Sequence, residues 1–268
     1  MTALRPHLAA AAGIFRRDLA VYLTYRWRLG LQYVGVLFSL AVFYYISRLV
    51  RVGEFSSPDT YFAYAAVGVI ILQVLQATLD VPGTVRQELI AGTFERMAVS
   101  PFGPVAGILS LFLFPIASAV VAMLVTLALG ALVFGIDASW STVPAAIPVA
   151  IVGAVALGAI ALLFAAMVVR LKQAPGTAYV LAAISLVAGF YFPPSLLPWW
   201  LEWASNVQPF TPAVDLLRHL LVGQALRDSA WVDVVKLVGF SIALVPLGVA
   251  GLTLAVERGR RLGTLTEY

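Results

Sequence analysis

The chain has 268 residues, of which 62% are hydrophobic and 11% are charged, and its formal net charge is +4. A mean hydropathy of +0.96 and so few charges exclude an ordinary soluble domain, in which about a quarter of the residues are charged. The sequence therefore predicts an integral membrane protein. Cysteine is absent, which excludes disulfides and thiolate metal sites.

The first predicted element is an amphipathic helix over Leu8–Arg28. Phe15 and Leu19 lie on its apolar face, and Arg17 and Arg28 lie on the opposite face. This pattern is typical of a helix that lies in the membrane interface. A simple basic anchor on anionic lipid explains the same residues.

Six apolar runs follow, each near the roughly 20 residues that about 30 Å of hydrocarbon requires. They predict an all-α fold with six transmembrane helices in residues 29–256, between a cytoplasmic N-terminal region (1–28) and a cytoplasmic tail (257–268). Pro115 predicts a kink in the third run, because proline removes one backbone hydrogen bond. The predicted spans are Leu29–Ser47, Tyr61–Leu79, Val105–Phe134, Val143–Val169, Gly176–Tyr191 and Val234–Val256.

Basic residues indicate how the spans are oriented. With the N-terminus inside, twelve of the 17 Lys and Arg residues fall on the inner side, and cytoplasmic segments are the ones enriched in Lys and Arg. Five of the six Trp residues fall on the outer side, as expected of rings at the headgroup level. We therefore expect both termini to be cytoplasmic.

A charged segment, residues 82–101, separates the second and third runs, and lipid would not tolerate it. Pro82-Gly83 is expected to end the preceding helix, because proline lacks a donor and glycine suits a left-handed cap. A short polar helix is then predicted over Val85–Ala91, and Gly92 is expected to break it.

A second short helix is predicted after that break. Thr93 is expected to cap it, with Glu95 in its first turn, where exposed amides favour a carboxylate. Ser100-Pro101 closes the unit. Two short helices at a membrane face have the shape of a docking element, although a solvated cytoplasmic loop is the alternative.

The longest connection, residues 192–233, is apolar and repeatedly broken by proline. Such a segment is typical of short half-helices that enter the outer leaflet, provided that protein satisfies the freed backbone groups. A loop that rests on the interface is the alternative.

Two separated motifs resemble those of a known family. The first motif is Arg86-x-Glu88-x-x-x-Gly92-Thr93-x-Glu95-x-Met97-x-x-Ser100-Pro101. The second comprises Gly189-x-x-Phe192-Pro193, Leu197-Pro198, Pro209-x-Thr211-Pro212 and Asp215-x-x-Arg218. The two motifs occur in this order, with the predicted spans around them. In both respects the chain resembles the permeases of the ABC type-2 exporter family.

The resemblance implies that residues 82–101 form a coupling element that contacts a separate ABC ATPase. It also implies an elbow helix near that ATPase, re-entrant external helices, a second copy of the permease and two ATPase copies, in a prokaryotic inner membrane. The implied coupling residues are Arg86, Glu88, Gly92, Thr93, Glu95, Arg96 and Pro101. The implied elbow residues are Phe15, Arg17, Leu19 and Arg28.

The chain has no Gly-x-x-x-x-Gly-Lys-Ser/Thr loop that could hold phosphates. We therefore expect ATP and magnesium to bind the partner ATPase, and no cofactor, metal or nucleic acid to bind this chain. A membrane-embedded lipid-modifying enzyme is the rival hypothesis, but it would need convergent acid, base or metal groups.

Apart from Lys236 at the start of the last one, the six runs contain no Asp, Glu, Lys or Arg. This counts against a secondary transporter or channel and suits a hydrophobic or amphipathic substrate, such as a drug, a lipid or a lipid-linked glycan. Gln73 and Gln76 either line a pathway or bond between helices. The aromatic cluster at the predicted outer ends is either a headgroup belt or a gate. The candidate gate residues are Phe190, Tyr191, Phe192 and Pro193.

Overall fold

A computed structural model describes residues 4–49, 55, 57–173 and 176–262, and every regular element in them is helical. The tail positions 263–268 lie outside the described residues. A 3-10 turn, Pro194–Leu196, precedes the tenth helix. The helices are α1 Leu4–Thr24, α2 Arg26–Leu49, α3 Pro58–Leu79, α4 Val81–Ile90, α5 Thr93–Val99, α6 Pro104–Ser110, α7 Leu113–Phe134, α8 Val143–Leu171, α9 Thr177–Val187, α10 Trp199–Asn206, α11 Phe210–Val222 and α12 Ala230–Leu262.

Five stretches in the described residues are long and apolar enough to cross a membrane. They match the first four predicted spans and the last one, so the all-helical membrane class is confirmed. The five stretches are Trp27–Leu49, Pro58–Ile90, Pro104–Phe134, Val143–Leu171 and Ala230–Leu262.

The predicted fifth span, Gly176–Tyr191, is not confirmed as a membrane crossing. Its helix, α9, has 11 residues and covers about 16 Å, roughly half of the hydrocarbon thickness. Gly189 follows with a φ of +79°, a left-handed conformation that no α-helix continues through. The count of six spans is therefore not confirmed either.

The third span is interrupted, as Pro115 led us to expect. The interruption lies one helical turn before Pro115. The break between α6 and α7 lies at Leu111 and Phe112, because Pro115 cannot donate to the carbonyl of Leu111. The amides of Leu111 and Phe112 donate to carbonyls three residues earlier, at 3.1 and 3.2 Å.

The buried centre of the bundle consists of α3 and α8, whereas α2 and α12 are mostly exposed. Small residues let α8 and α12 approach closely, as is usual between membrane helices. A Cβ atom on Gly248 would lie only 2.6 Å from the backbone oxygen of Ala159.

The predicted N-terminal helix Leu8–Arg28 is two helices that meet at Tyr25. Arg28, which was predicted on the elbow helix, lies instead in α2, and this placement is a correction. One face of α1 packs on α7, where the rings of Phe15 and Tyr22 meet Phe114 edge-on at 5.8 and 5.2 Å. Whether α1 lies in the membrane interface stays a prediction.

The segment predicted to be external, residues 192–233, folds as short helices with two different environments. The rings of Trp199 and Trp203 on α10 are exposed, as a headgroup belt would require. By contrast, α11 packs among α3, α8 and α12 and is largely buried. Re-entry of this segment into the bilayer stays a prediction.

Candidate functional site

The charged segment begins as a continuation of α3. The amide of Asp80 donates to the carbonyl of Gln76 at 2.9 Å, and the amide of Thr84 donates to that of Asp80 at 3.2 Å. The prediction that Pro82-Gly83 ends the helix is wrong, because proline is tolerated in a first turn, where its missing donor is not needed. Helices α3 and α4 therefore form one rod of 33 residues, Pro58–Ile90.

The predicted break at Gly92 is confirmed, since its φ is +70°. Gly92 itself occupies the cap position of α5, so the prediction that Thr93 caps this helix is wrong. The Thr93 hydroxyl instead points back to Glu88, bonding its carbonyl oxygen at 3.1 Å and its carboxylate. Glu95 lies in the first turn of α5, as predicted, and the helix ends at Ser100.

An ion pair connects α1 to α4. The Arg17 guanidinium lies 2.8 Å from a carboxylate oxygen of Glu88 and 2.9 Å from Asp18. Glu88 is buried, and it holds both Arg17 and the Thr93 hydroxyl. One carboxylate thus joins the predicted elbow helix to both helices of the predicted coupling element.

Leu19, which was predicted on the apolar face of the elbow helix, lies on the exposed side of α1.

We expect a double-mutant cycle of Arg17→Gln and Glu88→Gln to give a coupling free energy of about 1 kcal/mol or less, because Arg17 is partly exposed and water screens the pair. Thermal unfolding of the detergent-solubilised protein measures it. Arg16→Gln is the matched control, since Arg16 is exposed and forms no ion pair in the described structure. Equal coupling of Glu88 to both arginines would contradict the assigned contact.

Two further hydrogen bonds connect this unit to the ends of other helices. Arg86 Nε donates to the carbonyl of Lys172, the residue that caps α8, at 3.4 Å. Arg260 on α12 donates to the carbonyl of Ala98 on α5 at 3.1 Å. The predicted coupling element, residues 82–101, thus contacts α1, the end of α8 and the end of α12.

The opposite side of α5 is open. The Phe94 side chain is buried and anchors the helix, while Glu95 and Arg96 are exposed and form no ion pair within the described residues. Val99 is 87% exposed and lies one turn after Glu95, so the two side chains share a face. Pro101, the last predicted coupling residue, is also exposed.

A groove of about 790 Å³ lies between α2, α3 and α7. Its lining is mixed, because an apolar wall is interrupted by polar and charged side chains. These side chains include Gln32, Gln73, Gln76, Ser39, Ser118, Arg28 and Asp80. The amide of Gln73 also donates to the Thr126 hydroxyl on α7 at 3.2 Å. Gln73 therefore bonds between helices and lines the groove, whereas Gln76 is exposed within it.

The four candidate gate residues lie elsewhere, just after the C-terminal end of α9. Phe190 is fully buried, and Tyr191 stacks on Phe43 with ring centroids 5.4 Å apart. Phe192 and Pro193 are half-buried. None of the four lines the groove, so the predicted pathway residues fall in two separate places.

A buried arginine holds the segment after α9 in place. Arg218 on α11, which is 2% exposed, donates from Nη2 to the carbonyls of Gly189 and Phe190 at 2.7 and 2.9 Å. Its guanidinium lies 3.5 Å above the ring of Tyr64, whose hydroxyl donates to Gly189 at 2.8 Å. Burial lowers the pKa of Arg218, and nearby Tyr64 and Asp215 oppose that shift.

Gly68 completes the arrangement one helical turn after Tyr64. A Cβ atom there would lie 1.8 Å from the carbonyl oxygen of Phe190. We call these residues the Arg218 clamp: Tyr64, Gly68, Gly189, Phe190 and Arg218. The sequence motifs contain Gly189 and Arg218, but nothing in the apolar run of α3 pointed to Tyr64 or Gly68.

A family model described as "ABC-2 family transporter protein" matches residues 44–250, well over half of the chain. The chain belongs to the ABC-2 transporter family. This ABC-2 protein is thus a multi-pass membrane component of a transporter, in a family that generally pairs with an ABC ATPase subunit. No curated protein matches the chain.

The matched range contains the coupling element, the Arg218 clamp and the α3 and α7 sides of the groove. Helix α1 and most of α2, with the α2 side of the groove, precede it. The resemblance to type-2 permeases is confirmed at the level of the family. The individual roles of the coupling, elbow and gate residues of this ABC-2 protein stay predictions. Lys172 and Arg260 were not predicted, because their contacts join residues 86 and 162 positions apart.

Proposed function

We propose that this ABC-2 protein is the permease subunit of an ATP-driven exporter in the cytoplasmic membrane of a prokaryote. Two copies of the chain would form the pathway, and two ATPase subunits would bind and hydrolyse ATP with magnesium. Both termini and the coupling element would face the cytoplasm.

The observation that carries the proposal is the rod formed by α3 and α4. One end of this rod is the most buried span of the bundle and the other end is the coupling element. A displacement of α5 by an ATPase would therefore act directly on a helix that lines the groove. The contacts with α1, α8 and α12 would carry the same displacement to the rest of the bundle.

The groove favours a hydrophobic or amphipathic substrate. Its volume lies in the range of pockets that hold drug-sized ligands, and the apolar part of its lining suits an acyl chain or aromatic group. Gln32, Gln76, Arg28 and Asp80, which also line the groove, would bind the polar part. On this proposal the substrate is a drug, a lipid or a lipid-linked glycan.

Purification from native membranes tests the proposal. The full-length protein, isolated in mild detergent, should carry a Walker-type ATPase whose hydrolysis is inhibited by vanadate. Cells that lack the permease should retain a lipid or amphipathic compound that wild-type cells export. Purification without any ATPase, combined with unchanged lipid and metabolite profiles, would contradict it.

The proposed orientation predicts a simple labelling pattern, and the absence of native cysteine makes it easy to measure. Cysteines at the exposed positions Asp137 and Ser229 should react with an impermeant thiol reagent on intact cells. A cysteine at Val99 should react only after the membrane is opened. Labelling of the Val99 variant on intact cells would reverse the orientation and exclude coupling to a cytoplasmic ATPase.

A further inference from the structure

A second large cavity lies at the ends of α8 and α12. Its volume is about 750 Å³, and its lining shares no residue with the groove or with the coupling element. The two helices approach each other closely before the cavity, at Gly248 and Ala159. The cavity extends to their C-terminal ends, where the last turns carry basic residues.

The lining of this cavity carries more positive than negative charge. Arg170, Arg258 and Arg261 line it together with a single acidic residue, Glu257. All three arginines are exposed, and in the described part of the chain none of them forms an ion pair. Three free guanidinium groups around one cavity favour an anion, and guanidinium binds phosphate particularly well.

The remaining lining is apolar. Leu163 and Leu254 line the cavity and are exposed. Leu163 precedes Arg170 by seven residues, which places it about 10 Å further along the helix axis, toward the membrane interior. The apolar wall of the cavity and its basic rim thus follow one another along the helices, as the acyl chain and the headgroup do in a lipid.

We propose that this cavity, the α8–α12 lipid site, binds an anionic glycerophospholipid of the adjacent leaflet. The phosphate-bearing headgroup contacts Arg170, Arg258 and Arg261, and an acyl chain lies against Leu163 and Leu254. Basic pockets between membrane helices at the cytoplasmic side suit anionic headgroups. A free anion would use the arginines but leave the apolar wall exposed to water.

Occupancy of the site has a consequence for the coupling element. Arg260, which donates to Ala98 on α5, lies between two of the arginines of the site in sequence. A lipid bound to Arg258 and Arg261 therefore holds the last turns of α12 in the position from which Arg260 contacts α5.

Native mass spectrometry of the full-length permease, without an ATPase, tests the lipid site. Phosphatidylglycerol should bind at least about tenfold more tightly than phosphatidylcholine. Arg170→Gln or Arg258→Gln should each weaken phosphatidylglycerol binding about fivefold, the contribution expected of one basic residue near an anionic lipid. Arg16→Gln is the matched control, because it removes one exposed arginine of α1 that does not line the cavity, and it should leave lipid binding unchanged. An excess of inorganic phosphate should not displace the lipid.

Equal affinity for the two lipids, or full phosphatidylglycerol binding by the Arg170→Gln/Arg258→Gln double variant, would overturn the proposal. Displacement by inorganic phosphate would show a free-anion site instead. In a separate copurification from native membranes, loss of the ATPase by the double variant, with lipid binding by the isolated permease intact, would assign the cavity to the ATPase. Because the permease is tested alone, a negative result for the lipid does not bear on ATP-driven export.

Discussion

Gly68→Ala should destabilise the protein severely, although it adds one methyl group. The new Cβ atom would lie 1.8 Å from the carbonyl oxygen of Phe190, and that carbonyl is fixed by Arg218. This clash can be relieved only if residues Gly189 and Phe190 move away from α3. That movement breaks the hydrogen bonds of the Arg218 clamp. We expect a loss of about 3 kcal/mol or more and a fall in Tm on the order of 10 °C.

Thermal unfolding of the detergent-solubilised variant measures this effect. Gly239→Ala on α12 is the matched control, because a Cβ atom there meets nothing within 4 Å. That substitution should be neutral or slightly stabilising, since alanine is the better helix former. If the two variants had the same Tm, the close approach of α3 to Phe190 would be wrong.

The fold could be predicted where the mean hydropathy over about 20 residues identifies a helix. Helices α2, α3, α7, α8 and α12 follow from hydropathy, because a span must be apolar along its whole length. Helix α9 could not be delimited in this way. Its end depends on Gly189 and on Arg218, which binds the Gly189 carbonyl from 29 positions away.

Local rules failed where tertiary packing decided the outcome. Pro82-Gly83 reads as a helix end, yet α4 continues because Val81, Val85 and Leu89 are buried against the bundle. The break between α1 and α2 at Tyr25 could not be predicted, because no glycine or proline lies there. The Gly92 break was predictable, because its left-handed backbone is a property of the residue itself.

The candidate site was predictable as a segment and less so as a set of contacts. Charge in an apolar chain located residues 82–101, and the motif indicated Glu88 and Glu95. Sequence could not show that Glu88 faces inward to Arg17 while Glu95 faces outward, because both are acidic residues on short polar helices. This difference separates a residue that holds the element together from one that is available to a partner.

Gly92→Val should uncouple the permease without preventing its insertion. The position is open, with no atom within 4 Å of a new Cβ, so the cost arises from the φ of +70°. A β-branched residue in that conformation costs about 1–3 kcal/mol, and it tilts α5 away from its contacts with α12 and Glu88. We expect wild-type amounts of protein in the membrane and reduced transport-linked ATP hydrolysis. Hydrolysis at the wild-type rate would contradict this expectation.

Association with the ATPase is the most direct test of the coupling element. Glu95→Arg combined with Val99→Asp changes only the exposed face of α5, and an unfavourable charge at a desolvated contact costs several kcal/mol. Asp137→Arg is the matched control, because Asp137 is exposed and should lie on the opposite side of the membrane. The measurement is the amount of ATPase that copurifies with each variant from native membranes. We expect the Glu95/Val99 variant to retain less than about a tenth of the wild-type amount and the control to retain all of it. Full retention by the Glu95/Val99 variant would contradict the assignment of residues 82–101 as the element that couples this ABC-2 protein to its ATPase.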